Sequence, residues 1–136
     1  EITEGTLLGN TSVVSRTLAD LRALGVKIAM DDFGTGYASL SQLASFPFDK
    51  IKIDRTLVGC DGDDVKKRAI VRAITALGRG LGVCTLAEGV EDLGQMTRLE
   101  RDGCAAVQGY LFGRAVPANE IPAIISTLYR WPGLPS

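Results

Sequence analysis

The sequence predicts an α/β protein built on a parallel sheet, and three observations predict it. Short apolar runs alternate with amphipathic helical stretches along the whole chain. Each run ends in residues that are costly to bury, as strands do when their carboxyl ends open on a site. The 136 residues, 46% hydrophobic and 23% charged, supply a core for one domain. The alternation fits either an open doubly wound sheet or part of a (β/α)₈ barrel.

Taken in order, Glu1–Glu4 reads as the end of a strand. Ser12 to Leu24 is helical, with Val14, Leu18 and Leu21 on one face, and Gly25 follows where a left-handed residue ends a helix. Val26–Met30 is a strand running into Asp31 and Asp32. Gly34 and Gly36 make a loop, and Ser39 to Ser45 is a short helix that Pro47 closes. Lys50–Asp54 alternates with period two and is the third strand. Asp63 or Asp64 caps a helix with Ile70, Ile74, Leu77 and Leu81 on one face, ended by Gly80 and Gly82. Val83–Ala87 is a strand ending in Glu88. Leu93 to Asp102, carrying Met96 and Leu99, is a helix stopped by Gly103. Ala105–Val107 is a short strand ending in Gln108. Pro117 opens a last helix with Ile121, Ile124, Ile125 and Leu128 in a stripe, and Pro132-Gly133 ends it. No internal repeat, low-complexity tract or linker interrupts this order.

Composition excludes several chemistries. Histidine is absent, which removes Ser-His-Asp and Cys-His hydrolysis and imidazole zinc sites. Cys60, Cys84 and Cys104 are dispersed, without a Cys-x-x-Cys, and read as reduced structural thiols. Fifteen basic against sixteen acidic residues, net −1, disfavour a nucleic-acid polymer as partner. No apolar run is long enough to cross a membrane and no signal pattern is visible, so the expected location is cytoplasmic.

The remaining chemistry belongs to carboxylates and lysine at the strand ends: Glu1 and Glu4, Asp31 and Asp32, Lys52 and Asp54, Glu88 and Glu91, then Gln108. Most of these alone have a plain structural explanation, and Glu88, directly after the buried-looking run ending at Ala87, is harder to explain away. Glu1 and Glu4 read as a solvated pair, Asp31-Asp32 as a turn cap, Lys52 as the wet face of a strand. Together, converging carboxylates repel one another unless a cation sits among them, which points to a hard divalent metal with one lysine close by. Competing motifs are weak. The glycines from Gly34 and from Gly78 lack the strand-turn-helix setting of a dinucleotide site. Asp32-Phe33-Gly34 has no His-Arg-Asp partner, and the sequon at Asn10 is moot inside a cell.

The segments Asp31-Asp32-Phe33-Gly34-Thr35-Gly36-Tyr37-Ala38-Ser39-Leu40, Lys52-Ile53-Asp54-Arg55, Ala87-Glu88-Gly89-Val90-Glu91 and Gln108-Gly109-Tyr110-Leu111-Phe112 closely resemble the EAL domain family, as does Glu1–Glu4. That family comprises bacterial phosphodiesterases that linearise cyclic di-GMP. The resemblance implies a partial TIM-like (β/α) barrel, roughly its second half with about five βα units. It also implies that residues 1–136 are a truncated EAL domain, because neither a Glu-Ala-Leu tripeptide nor the family's metal-binding Asn occurs in them.

By resemblance, Glu1, Asp31, Asp32 and Glu88 match metal ligands for Mg²⁺ or Mn²⁺, and the two-metal site would be incomplete in this chain. Glu88 and Lys52 match the catalytic pair that works on the hydrolytic water. Glu4 matches a residue that steadies the loop beginning at Phe33 and Gly34, and Glu91 a supporting carboxylate. Gln108 matches a polar group lining the pocket, with Asp54, Gly109 and Tyr110 also assigned to binding or support. The implied partner is cyclic di-GMP, with GGDEF or sensory domains possible in a longer parent. The isolated chain is expected to be poorly active and to self-associate through half-barrel edges. The rival expectation is a degenerate EAL module that binds cyclic di-GMP or a protein without turnover.

Overall fold

The computed structural model describes residues 1–7, 11–34, 46–59 and 64–128. The expected helix at Ser39–Ser45, Cys60, the alternative cap Asp63 and the terminal Pro132-Gly133 lie outside these residues.

Five parallel strands form one sheet in chain order: β1 (Ile2–Thr3), β2 (Ala29–Phe33), β3 (Lys50–Ile53), β4 (Cys84–Ala87) and β5 (Ala106–Val107). A doubly wound sheet reverses its strand order at a switch point. This one never does, so the five strands form a run of barrel wall. The connecting helices are α1 (Glu4–Leu7), α2 (Thr11–Ala23), α3 (Arg55–Val58), α4 (Val65–Leu81), α5 (Leu93–Arg101) and α6 (Ile121–Leu128), the last entered through a 3₁₀ turn at Ala118–Glu120.

Strand alternation divides the sheet into two faces. Met30, Ile51, Ile53 and Ala87 are fully buried in the core that the helices share. Each Ile side chain buried there contributes about 1.5–3 kcal/mol. Lys52, between Ile51 and Ile53, belongs to the opposite face. On α4 the buried residues are Val71, Ile74, Thr75 and Gly78. Gly78 is small because a Cβ there would stand 2.5 Å from the Thr85 side chain.

Local chemistry sets the helix ends. Asp64 caps α4 by accepting from the amides of Lys66 and Lys67, each at 3.1 Å. Gly82 ends α4 in the left-handed conformation. Asp92 caps α5 through the Gln95 amide at 2.8 Å. At the amino-terminal rim of the sheet, Asp49 accepts from the Ile28 amide at 2.9 Å and the Lys27 ammonium at 3.1 Å, with Arg22 at 3.4 Å. These bonds hold its carboxyl below the ordinary value, the Ile28 amide contributing most.

Several expected details are corrected. The second strand is Ala29–Phe33, so Asp31 and Asp32 lie inside it. Its register shifts between Met30 and Phe33, and this irregularity lets two acids occupy a strand end. Glu4 opens a helical turn and does not end a strand. Asp54 leaves the third strand and becomes the cap of α3. The inner face of α4 is rotated from the expected stripe: Ile74 is buried, while Ile70 and Leu81 are exposed. Leu21, Ile121 and Ile125 are exposed as well.

Candidate functional site

The carboxyl ends of the strands converge on Lys52. Its ammonium lies 2.8 Å from Asp31 Oδ1, 2.9 Å from Glu88 Oε1 and 3.0 Å from Glu1 Oε2. The register explains the meeting. Lys52 pairs with Leu86 on β4, two residues before Glu88, and Thr3 pairs with Asp31. Residues two apart on a strand share a face, so Glu1, Asp31, Lys52 and Glu88 all point away from the helices. The Lys52 side chain is 9% exposed, against 58% for Glu1 and 23% for Asp31 and Glu88. A buried ammonium thus faces three carboxylates that still reach solvent. A wet strand face is not what surrounds Lys52.

Burial alone would push Lys52 towards its neutral form. Bonds to Asp31, Glu88 and Glu1 outweigh that and hold its pKa above the ordinary lysine value. In return, the Lys52 ammonium holds the Asp31 carboxyl below its ordinary value against the opposing effect of burial, and the Asp32 amide adds to this at 3.1 Å. Asp32 itself has φ +55°, a left-handed conformation that Asp tolerates better than most residues.

Beside this cluster lies an open cleft of about 740 Å³. Asp32, Asp54, Glu88, Glu91, Gln108, Gly109 and Tyr110 line it, all of them expected site residues. Gly89, Gly59, Arg55, Thr56 and Gln95 complete the lining and were not foreseen. The signal for Gln95 is its place three residues after Asp92, the spacing of a capping box. Thr56 bonds the Asp54 carboxylate through both hydroxyl and amide, which holds Asp54 below its ordinary pKa. Arg114 stacks over the Tyr110 ring at 4.3 Å.

Glu4, Phe33 and Gly34 are not part of the cleft lining. Glu4 is buried and accepts from the Gly34 amide at 3.0 Å, anchoring the start of the loop after β2. Phe33 is buried in the core and does not line the cleft. Glu91 lines the cleft and is not one of the three carboxylates on Lys52; its amide donates to Gln95 Oε1 at 2.7 Å. Gly109 packs so closely on the Val90 backbone that a Cβ would stand on its amide and carbonyl.

Carboxylates gathered at one point, without imidazole or thiolate, offer the donor chemistry of a hard divalent cation. Here each of the three gives one oxygen to Lys52. No group of three or more His, Cys, Asp or Glu side chains among the described residues is spaced to hold a metal ion. The residues therefore fit such a cation in kind, and in number they form only part of its shell.

Comparison with known proteins gives the same picture. The sequence model described as EAL domain matches residues 1–115. The cyclic di-GMP phosphodiesterase RocR of Pseudomonas aeruginosa is 43% identical over 117 residues, covering 86% of this chain and 30% of RocR. From the same organism, the bifunctional diguanylate cyclase/cyclic di-GMP phosphodiesterase MucR is 43% identical over 126 residues, 93% of this chain and 18% of MucR. The structure of the PaMucR phosphodiesterase in complex with c-di-GMP superposes with a TM-score of 0.82 at 43% identity, over 88% of this chain and 50% of that one. The manganese/cy-diGMP complex of Klebsiella pneumoniae BlrP1 matches with a TM-score of 0.76 at 39% identity, over 82% of this chain and 29% of that one. The chain thus spans half or less of each of these relatives and structures. With the family match running unbroken from Glu1 through every strand of the sheet, the chain belongs to the EAL domain family.

Proposed function

We propose that this chain forms part of a cyclic di-GMP phosphodiesterase, in which water cleaves one phosphodiester bond of the cyclic dinucleotide to give linear pGpG. The observation that carries the reading is the buried Lys52 ammonium bonded to Glu1, Asp31 and Glu88 beside the cleft. Support comes from RocR and MucR, whose names state this activity.

In this reading Glu88 accepts the proton of the attacking water, and Lys52 holds that water through its ammonium. Glu1, Asp31, Asp32 and Glu88 would hold Mg²⁺ or Mn²⁺. When bound, such a cation makes water more acidic and neutralises charge on the phosphoryl oxygens. Asp54, Glu91, Gln108, Gly109 and Tyr110 form the walls against which the nucleotide lies, and Glu4 fixes the loop at Gly34.

A second reading, binding of cyclic di-GMP without turnover, is favoured for the isolated chain by one observation. Lys52 already takes an oxygen from each of three carboxylates, and no described acidic group is spaced for a metal. The test measures binding of cyclic di-GMP by calorimetry and formation of pGpG by chromatography, with Mg²⁺ or Mn²⁺ present. The isolated chain should bind weakly and release little or no pGpG. Within a complete EAL domain carrying these residues, Glu88→Gln should lower turnover about 10²-fold or more while keeping most of the binding. Near-parental turnover by that variant removes Glu88 from its role, and absence of binding at millimolar nucleotide removes both readings.

A further inference from the structure

The wall of the cleft between β4 and α5 is a short turn, Glu88 to Glu91, and it is held from three sides. Its start is fixed by the sheet, where the Glu88 amide donates to the Ile53 carbonyl at 3.0 Å. Its middle is fixed by Val90, whose amide donates to the Gln108 carbonyl at 3.1 Å and whose carbonyl accepts from the Leu111 amide at 3.0 Å. Its end is fixed by one side chain. Gln95, in the first turn of α5, reaches back so that Oε1 accepts from the Glu91 amide at 2.7 Å.

We propose that Gln95 is a positioning residue for this site, setting the Glu88–Glu91 turn through its bond to the Glu91 amide. The inference rests on the cleft being the cyclic di-GMP site and adds a residue to it that touches no reacting atom.

Three features of the geometry carry the proposal. The bond is the shortest of those given above for the turn's backbone, and there, among the described residues, a side chain serves as the acceptor in place of a backbone carbonyl. An amide without a partner at the cleft edge would turn to water and let the turn rotate about Val90. Gln95 also lines both the cleft and the smaller cavity behind it, between α3, α4 and α5. Gln95 therefore borders both spaces. Helix formation does not depend on this side chain, because Asp92 caps α5 through the Gln95 backbone amide.

The test compares Gln95→Leu, which keeps bulk and removes the acceptor, with Gln95→Glu, which keeps an acceptor oxygen. Asp49→Ala, which removes the bonds to Ile28 and Lys27 at the amino-terminal rim of the sheet, controls for lost stability alone. Amide hydrogen exchange is read residue by residue on the 136-residue chain, and cyclic di-GMP affinity is read by calorimetry. Gln95→Leu should speed exchange at Glu91 by about tenfold or more and weaken affinity by about the same factor, and Gln95→Glu should restore both. Asp49→Ala should lower the melting temperature and leave Glu91 exchange and affinity unchanged. Unchanged Glu91 exchange in Gln95→Leu overturns the proposal, as does faster exchange with full affinity. If the unmodified chain binds no cyclic di-GMP, the functional reading of the cleft fails, and Glu91 exchange alone then decides whether Gln95 sets the turn.

Discussion

The Lys52 ammonium and the Glu88 carboxylate meet at 2.9 Å across the β3–β4 pair, with Asp31 at 2.8 Å on the other side of the same nitrogen. A cation on a strand therefore settles like charges that three separate strand ends bring together. Removing it should expose that repulsion. Lys52→Met is expected to destabilise the chain by about 1–3 kcal/mol at pH 7, the exposure of the partners keeping the cost below that of a fully buried pair. Added Mg²⁺ should recover stability in the variant more than it does in the unmodified chain, since a divalent cation takes the vacated place. Urea titrations with and without Mg²⁺ read both effects. Equal stability of the two chains would show that the carboxylates do not need Lys52.

Two glycine substitutions should act in opposite directions. Gly109→Ala places a methyl group on the Val90 backbone, and a wall of the cleft must shift to take it. The expected loss is about 1–3 kcal/mol, with weaker cyclic di-GMP binding. Gly80→Ala lies inside α4 with open space around its Cβ and should raise stability by about 0.5–1 kcal/mol. Thermal melts of the two variants, read side by side, check the pair.

Asp49 should shape the acid limb of the stability curve. Its carboxyl is held below the ordinary value by the Ile28 amide, then by Lys27. A depressed folded-state pKa adds stability that is present above the ordinary carboxylate value and is lost as pH falls through the lower folded value. Asp49→Asn should therefore flatten the decline in stability below about pH 4 while lowering stability at pH 7. Denaturation at pH 7 and at steps down to pH 2.5 measures it, and an unchanged acid slope would remove Asp49 from the account.

Self-association is expected of this polypeptide. Among the described residues β1 pairs only with β2, and β5 only with β4, so each outer strand offers a free edge. Such edges template pairing with another chain, and a two-fold pair is the commonest closed arrangement. Sedimentation should show a species heavier than the 14.4 kDa chain. A soluble monomer that melts cooperatively would refute the expectation.

The sheet and its chemistry were legible because both are written with short periods. Alternation marks β3 and an apolar run marks β4, each within a residue, and a polar residue after each apolar run marks the rim. Less legible was whatever depends on packing between distant segments. The α4 stripe of Ile70, Ile74, Leu77 and Leu81 satisfies helical spacing, yet the groove over β4 accepts Gly78 and Thr75 and leaves Ile70 outside. Lys52 carries no local sign of burial, because what buries it arrives from residues 1, 31 and 88. The short helix α3 was missed because Asp54 reads equally as a strand end and as a cap. The resemblance gives Phe33 as the start of the loop that Glu4 steadies; its ring lies in the core, and the Glu4 bond falls on the next residue, Gly34.

The left-handed backbone at Asp32 has a practical consequence for separating charge from shape. Asparagine accepts that conformation at least as readily as aspartate, whereas alanine resists it. Asp32→Asn is thus a change of charge with the chain path preserved, and Asp32→Ala alters both at once. Any difference between the two variants measures how much the site depends on the path of its backbone, independent of the negative charge it presents.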